Sequence, residues 1–92
     1  MIIIKPEIGE LAYVVTLPFL NEHKQPYIRH ITGVIEDIKN NKYKIIDIDD
    51  DWFPIYRIKS FAFGGIMITN DHYNESKCYN EDKQYLRKLG FK

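Results

Sequence analysis

The chain has 92 residues, of which 45% are hydrophobic and 14% aromatic. This composition is typical of one globular domain and excludes an intrinsically disordered chain. Thirteen basic and thirteen acidic residues give a net charge of zero, which disfavours a general nucleic-acid binder because such proteins carry excess positive charge. No apolar run approaches the roughly 20 residues of a transmembrane helix. The single cysteine, Cys78, allows no intrachain disulfide and favours a cytoplasmic location.

We expect a single domain over residues 1–92, with a β part over 5–69 and a polar connector and helix over 70–92. Near its start, Lys5–Gly9 predicts a turn, because proline lacks an amide proton and glycine permits positive φ. Leu11–Phe19 is rich in β-branched and aromatic residues and predicts the first strand. The polar run Asn21–Pro26 predicts a loop, and Gly33 in the following strand predicts a bulge or sharp bend.

The stretch from Gly33 to Ile58 predicts three consecutive antiparallel strands. Asn40 and Asn41 lie between two apolar-rich runs and predict a two-residue turn, since asparagine tolerates positive φ. This turn sets the first group of expected cross-strand pairs, which are Lys39–Lys42, Ile38–Tyr43, Asp37–Lys44 and Ile35–Ile46. A longer loop at Asp49–Trp52 sets the second group, which is Ile48–Phe53, Ile46–Ile55 and Tyr43–Ile58.

This register predicts two apolar faces, because side chains alternate between the faces of a strand. One face gathers Ile35, Ile46, Ile48, Phe53 and Ile55. The other face gathers Val34, Ile38, Tyr43, Ile45, Tyr56 and Ile58. A sheet with one buried face shows polar residues on its outer face. Two interpretations therefore stay open: the strands bend strongly, as in a small barrel, or a helix or a partner covers the second face.

The C-terminal third predicts a short strand and a helix. Lys59–Phe61 predicts a short turn, with one turn of 3₁₀ helix as an option, and Ile66–Thr69 predicts a last strand. Asn80 is a candidate N-cap, with acidic residues in the first turn and basic residues in the last. Gly90 fits the left-handed end of this helix, with Phe91 folding back onto its last turn.

The order of these parts resembles a small SH3-like barrel over about residues 5–69. PEIGELAYVV supplies an opening turn and strand, GVIEDIKNNKYKIIDI a bent hairpin, WFPIYRIKSF a fourth strand and short turn, and GIMIT a closing strand. The expected fold class is mainly β, a small five-stranded SH3-like barrel with a short C-terminal helix. Such barrels commonly bind peptides, proteins or nucleic acids, so the resemblance implies a binding module without specifying an activity.

No catalytic or cofactor motif is recognisable in the sequence. Asp47-x-Asp49-x-Asp51 begins like a calcium loop, but Trp52 stands where glycine is needed and Ile58 where glutamate is needed. The possible zinc ligands are too scattered to form a structural site: His23, His30, His72 and Cys78. Nothing around the cysteine marks a stabilised thiolate. We expect no enzyme activity, no cofactor and no metal site.

The group that best predicts a binding surface combines aromatic and acidic residues around the second loop. Trp52 and Tyr56 can anchor an interface, and aromatic faces attract cations, whereas Phe53 fits the core. The acidic neighbours favour a partner with a basic surface. The predicted partner-binding residues are Trp52, Tyr56, Asp49, Asp50, Asp51 and Tyr43.

A second set predicts a different kind of partner. Arg29, His30, Arg57 and Lys59 would lie near one another if the second and fourth strands flank the third. With aromatic side chains nearby, these residues could contact single-stranded nucleic acid through phosphate pairing and stacking. Zero net charge and the acidic loop disfavour this alternative.

The leading functional hypothesis is a non-enzymatic module that binds another protein. Its basis is the meander with two apolar faces, the acidic aromatic loop and the lack of a catalytic constellation. By analogy, small domains of this kind are encoded by phages or mobile elements as inhibitors or adaptors of host machinery, including host defence nucleases. The alternatives are a nucleic-acid-binding barrel and a self-associating structural subunit.

Overall fold

The computed structural model of the chain describes residues 4–46 and 52–91. The chain is mostly β and carries one helix near its C-terminus, which confirms the predicted fold class in outline. The strands are β1 (Leu11–Val15), β2 (Phe19–Leu20), β3 (Pro26–Tyr27), β4 (His30–Lys39), β5 (Lys42–Ile45), β6 (Trp52–Pro54), β7 (Ile58–Phe63) and β8 (Ile66–Thr69). One turn of 3₁₀ helix, Ile55–Arg57, separates β6 from β7, and helix α1 spans Glu75–Lys88.

Strand β4 links the two halves of the main sheet. Six strands form this antiparallel sheet in the order β6-β5-β4-β1-β7-β8, and β2 and β3 form a separate hairpin. The first half of β4 pairs with β1, and its second half pairs with β5. The register shifts between Ile35 and Asp37, which leaves Glu36 as an extra residue whose carboxylate accepts a hydrogen bond from Lys44 at 2.8 Å. A bulge of this kind bends a strand and increases its twist.

The first hairpin turn is confirmed, and the bulge corrects part of its register. Asn40 and Asn41 have φ angles of 51° and 62°, as a two-residue turn with positive φ requires. The three expected pairs nearest the turn are present: Lys39–Lys42, Ile38–Tyr43 and Asp37–Lys44. The expected Ile35–Ile46 pair is wrong, because the bulge places Ile45 opposite Ile35.

The register predicted for the second hairpin is wrong. Tyr43 lies opposite Phe53, and Lys44 lies opposite Trp52, whereas we expected Tyr43–Ile58 and Ile46–Ile55. The physical reason is that β6 ends at Pro54 and the chain then enters the 3₁₀ turn, so Ile55 is not in a strand. The expected pair of Ile48 with Phe53 involves a position outside the described residues.

The core draws on both of the predicted faces. Buried side chains from five strands, including members of both predicted faces, form one cluster: Ala12, Val14, Ile35, Tyr43, Ile45, Phe53, Ile58 and Phe61. Ile46 was assigned to the same face as Ile35, yet it is 42% exposed. The bulge explains this, because one extra residue reverses the inside–outside alternation beyond it.

The predicted five-stranded barrel differs from the sheet in two respects. Lys59–Phe61, expected as a turn, lies within β7, which pairs with β1 on one side and β8 on the other. The main sheet has six strands because the 3₁₀ turn divides the predicted fourth strand into β6 and β7. The predicted last strand, Ile66–Thr69, is confirmed as β8. Within residues 4–46 and 52–91, the end strands β6 and β8 do not pair with each other, so no closed barrel is found there.

The helix begins earlier than the sequence predicted. Its N-cap is Asn74, whose side chain accepts a hydrogen bond from the amide of Lys77, and not Asn80, which lies within the helix. The predicted end is confirmed: Gly90 has a φ of 99°, and the amide of Phe91 donates to the carbonyl of Leu86 at 3.0 Å. These bonds satisfy carbonyls that a helix end leaves without intrahelical partners.

Gly33 provides the first testable prediction. A Cβ atom at this position would lie 2.4 Å from Cγ2 of Ile45, so Gly33→Ala forces a clash in the core. We expect a loss of about 1–3 kcal/mol in the free energy of unfolding, measured by urea denaturation. Combining Gly33→Ala with Ile45→Ala should cost less than the sum of the single changes, because the clashing methyl group is gone. Additive losses would contradict this account.

Candidate binding groove

Arg57 joins three separate elements in the interior of the domain. Its side chain is 3% exposed. One terminal nitrogen, Nη2, donates to Asp82 at 2.9 Å and to Glu81 at 3.1 Å, both on α1. The other, Nη1, donates to the carbonyl of Val15 at the end of β1 at 3.4 Å. Burial alone would lower the pKa of Arg57, but the hydrogen bond and negative charge of Asp82, with help from Glu81, outweigh burial and raise it.

Tyr56 completes this polar cluster. Its hydroxyl donates to the carboxylate of Glu81, and the ammonium group of Lys77 lies 4.3 Å from the centre of its ring. Its pKa is raised from 10.0 to about 12, first by burial and then by the hydrogen bond and negative charge of Glu81. The 3₁₀ turn supplies Tyr56 and Arg57 as neighbours, and consecutive positions on α1 supply their carboxylate partners. The cluster thereby fixes the helix against the sheet.

A groove of about 740 Å³ lies beside this cluster. We call it the hairpin groove. The segment after β1 and the β2 strand form one wall, Trp52 to Tyr56 form the floor, and the C-terminal half of α1 forms the other wall. Its principal apolar and aromatic lining residues are Leu17, Phe19, Leu20, Trp52, Tyr56 and Tyr85. Several of these side chains are exposed or half-exposed, so the groove offers apolar surface to a ligand.

The hairpin of β2 and β3, whose β2 strand contributes to one wall, is ordered by local hydrogen bonds. The side-chain oxygen of Asn21 accepts from the amides of His23 and Gln25, which closes the loop between the two strands. The rings of Phe19 and Tyr27 lie 6.3 Å apart. Leu17 and Leu20 are exposed next to these rings, so an ordered hairpin presents apolar side chains to solvent.

The predicted partner-binding residues divide into three groups. Trp52 and Tyr56 both line the hairpin groove, so two of the predicted residues lie in one site. Tyr43 is 4% exposed and belongs to the core. Its prediction as a contact residue is wrong, because its position opposite Phe53 points the ring inward. Asp49–Asp51 lie outside the described residues.

The predicted nucleic-acid set does not form one surface. Arg57 is buried in its ion pairs and is inaccessible to a phosphate, which corrects its assignment. The guanidinium of Arg29 lies 5.1 Å from the ring centre of Phe19 on the β2–β3 side. His30 and Lys59 line a second groove of about 550 Å³, where His30 accepts or donates a 2.8 Å hydrogen bond with the hydroxyl of Tyr13.

The residues that sequence reasoning missed are the walls of the hairpin groove. Leu17 and Leu20 follow β1, Tyr85 lies on α1, and Leu89 is the C-cap of that helix. One signal was available: LPFL interrupts the inside–outside alternation with consecutive apolar residues that a strand cannot bury on one face. The helix residues gave no such signal, because their apolar spacing equally fits packing on the sheet.

Cys78 lies next to the polar cluster of Tyr56 and Arg57, and its surroundings do not favour a thiolate. Its side chain is buried, and its sulfur lies 3.5 Å from the carbonyl of Tyr56. Burial is the largest influence and raises the pKa of the thiol, with nearby carboxylates adding to the rise and Arg57 opposing it. The neutral thiol is therefore the favoured form. Among the described residues, no three His, Cys, Asp or Glu side chains are grouped to hold a metal ion.

These features define a small, mostly β domain with a helix-walled apolar groove. Comparison with protein-family models, with curated proteins and with solved structures finds no match for this chain. In the described part of the chain, no helix is long and apolar enough to cross a membrane. The functional argument therefore depends on the geometry of the groove.

The ion pair between Arg57 and Asp82 predicts a large effect on stability. Asp82→Ala leaves a buried guanidinium with one of its two carboxylates, and we expect a loss of about 3 kcal/mol in the free energy of unfolding. Urea denaturation followed by the fluorescence of Trp52 measures this loss. Asp71→Ala is the matched control, because Asp71 is exposed and should change stability by less than about 0.5 kcal/mol. Equal effects of the two changes would contradict a structural role for the pair.

The raised pKa of Tyr56 predicts a loss of stability at alkaline pH. Between pH 10 and about 12, the phenol is ionised in the unfolded chain and still protonated in the folded one. The folded state then binds more protons, so stability falls as pH rises through this window. Tyr56→Phe cannot ionise and should flatten this decline, as measured by urea denaturation across the window. An unchanged slope in Tyr56→Phe would assign the decline to other groups.

Proposed function

We propose that this chain is a non-enzymatic protein-binding module whose hairpin groove takes an extended apolar segment of another protein. The observation that carries the proposal is the convergence of Trp52, Tyr56 and Tyr85 from three separate elements on one groove. Aromatic side chains in a concave site supply large contact areas at low entropic cost and are frequent anchors of interfaces. The second groove has fewer aromatic side chains in its lining than the hairpin groove has.

Charge supports apolar rather than electrostatic selection of the ligand. Lys42 and Lys88 line the groove, and the ion pairs found among the described residues include neither of them. Glu81 is engaged by Arg57 and Tyr56. Asp49–Asp51 directly precede Trp52 in the sequence. Binding through apolar contacts should depend only weakly on salt, since salt screens charges and not apolar burial.

The SH3-like resemblance remains part of this proposal. Its support is the order of the elements: a hairpin between β1 and β4, a bent strand shared by two halves of the sheet, and a 3₁₀ turn before β7. The division of the predicted fourth strand into β6 and β7 departs from the five-stranded form. Binding is a common activity of such barrels, but fold alone does not assign a ligand.

The partner that we propose is a protein of the cell that holds this chain, and the location that we propose is the cytoplasm. The role of an inhibitor or adaptor, of the type that phages and mobile elements direct at host complexes, stays a prediction about that partner. The nucleic-acid alternative has less support, because Arg57 is buried and Arg29 does not line the groove that His30 and Lys59 share. A steep fall of affinity with rising salt would favour it.

Two variants test the groove without disturbing the core. Leu20→Asp and Leu89→Asp place a carboxylate on each wall at exposed positions. Ile46→Asp is the matched control, because Ile46 is comparably exposed and does not line the groove. The probe is a peptide selected from a library of random peptides on the wild-type protein, and Trp52, the only tryptophan, reports its binding by fluorescence.

We expect selected peptides rich in apolar and aromatic residues, and a loss of affinity of at least about tenfold in the two groove variants. The Ile46→Asp variant should bind as the wild type does. Circular dichroism checks that all three variants are folded. Equal binding by Leu20→Asp, Leu89→Asp and the wild type would move the site away from the groove. A parallel pull-down from the source lysate, with and without nuclease, separates protein partners from nucleic-acid partners.

A further inference from the structure

Strand β8 lies at one edge of the main sheet, and among the described residues no strand pairs with its outer side. Gly64 and Gly65 form a two-residue turn, with φ angles of 60° and 84°, so Phe63 and Ile66 are the hydrogen-bonded pair beside it. Along β8, backbone groups that point toward β7 alternate with groups that point away from it. The amide of Asn70 fits this alternation, because it donates to the carbonyl of Lys59 at 3.0 Å. The backbone groups of Met67 and Thr69 therefore point outward, away from β7.

The side chains around this edge are apolar and exposed. Ile66 is 68% exposed and Met67 is 47% exposed, and Phe63 beside them is also exposed. Residues 60–70 contain no charged side chain, although 28% of the chain is charged. Edge strands of monomeric proteins are usually protected by charges, proline, bulges or a covering segment. Proline, charge and bulge are lacking in β8, so its edge is suited to pairing with another strand.

The opposite edge of the sheet, β6, is protected by its shortness and by a proline. Strand β6 has only three residues and ends in Pro54, which has no amide proton to donate. The chain then leaves the sheet in the 3₁₀ turn. Pairing of β8 with β6 of another copy would be head-to-tail and open-ended, and Pro54 disfavours it. Of the two edges that the described residues give the main sheet, β8 itself is therefore the better partner for β8.

We propose that β8 pairs with β8 of a second copy, antiparallel across a two-fold axis, so that two sheets become continuous. In the register we propose, Met67 lies opposite Met67 of the second copy and exchanges both backbone hydrogen bonds with it. Ile66 then lies opposite Ile68 of the second copy on each side of the axis. A strand that pairs with its own copy places identical side chains near one another. Because β8 carries no charged side chain, this pairing brings no like charges together. An isologous interface closes after two copies, which predicts a dimer and not a fibre.

Sedimentation of the purified chain over a wide concentration range tests this proposal. We expect a reversible monomer–dimer equilibrium for the wild type. Ile66→Lys places a charge in the interface at a position already open to solvent, and Met67→Pro removes an outward amide without breaking a bond to β7. Both should shift the equilibrium to monomer by at least about tenfold. Ile46→Lys, the matched exposed isoleucine on the other half of the sheet, should dimerise as the wild type does.

A cross-link tests the register independently. In a Cys78→Ser background, Met67→Cys places two thiols opposite each other, with Cα atoms about 5.5 Å apart, which suits a disulfide. We expect this variant to form a covalent dimer on mild oxidation, and Ile46→Cys in the same background not to. A monomeric wild type at every concentration would overturn the proposal. So would a dimer that persists in both Ile66→Lys and Met67→Pro with folding intact by circular dichroism.

Discussion

The buried guanidinium of Arg57 is the constraint on which the arrangement of this domain depends. It contacts the end of β1, belongs to the 3₁₀ turn and pairs with two carboxylates of α1. Removing one partner from a buried ion pair leaves a charge uncompensated at a cost of several kcal/mol. Rotating or sliding the helix would break these bonds together. A polar contact of this kind fixes orientation, because hydrogen bonds are directional whereas apolar packing is not.

The groove follows from the way in which the helix is held. The buried residues of α1 are only Cys78 and Asp82, so apolar burial contributes little to its docking. Tyr85 stays half-buried, and Leu89 stays exposed. The polar cluster fixes the helix relative to the 3₁₀ turn and the end of β1, and apolar side chains of both walls line the space that is left. A helix docked by its apolar side would have closed this space and left no site.

The sequence predicted correctly those turns and helix ends that depend on the conformational preference of a single residue. The turn at Asn40-Asn41 and the helix end at Gly90 both follow from tolerance of positive φ, and both are present. The pairing of Ile35 and the exposure of Ile46 were predicted wrongly because one inserted residue, Glu36, shifts the register between β4 and β5. No pattern in the sequence marks this insertion. The N-cap was misplaced because Asn74 and Asn80 have equal intrinsic preference. The actual start follows from the chain's anchoring at Asn70, which donates to two carbonyls of the 3₁₀ region.

The candidate site was predicted in part for the same reason. Trp52 and Tyr56 are close in the sequence, so their grouping needed only local reasoning. The other wall comes from residues near positions 17–20 and 85–89, whose approach depends on Arg57 finding partners 24 and 25 residues away. Charge counting gave no guide to that pairing, because the chain has as many acidic as basic residues. Burial of Arg57 also removed it from the basic set, a change that composition cannot signal.

The groove and the β8 edge use separate residues, so binding at one does not exclude binding at the other. None of the residues that line the hairpin groove belongs to β8. A dimer joined through β8 would therefore carry two open grooves at a fixed separation, set by a continuous sheet and not by a flexible linker. A second contact made within such an assembly is intramolecular, and its effective concentration raises overall affinity for a partner with two suitably spaced segments. Modest affinity at each groove would then suffice for stable capture of a repetitive or oligomeric target.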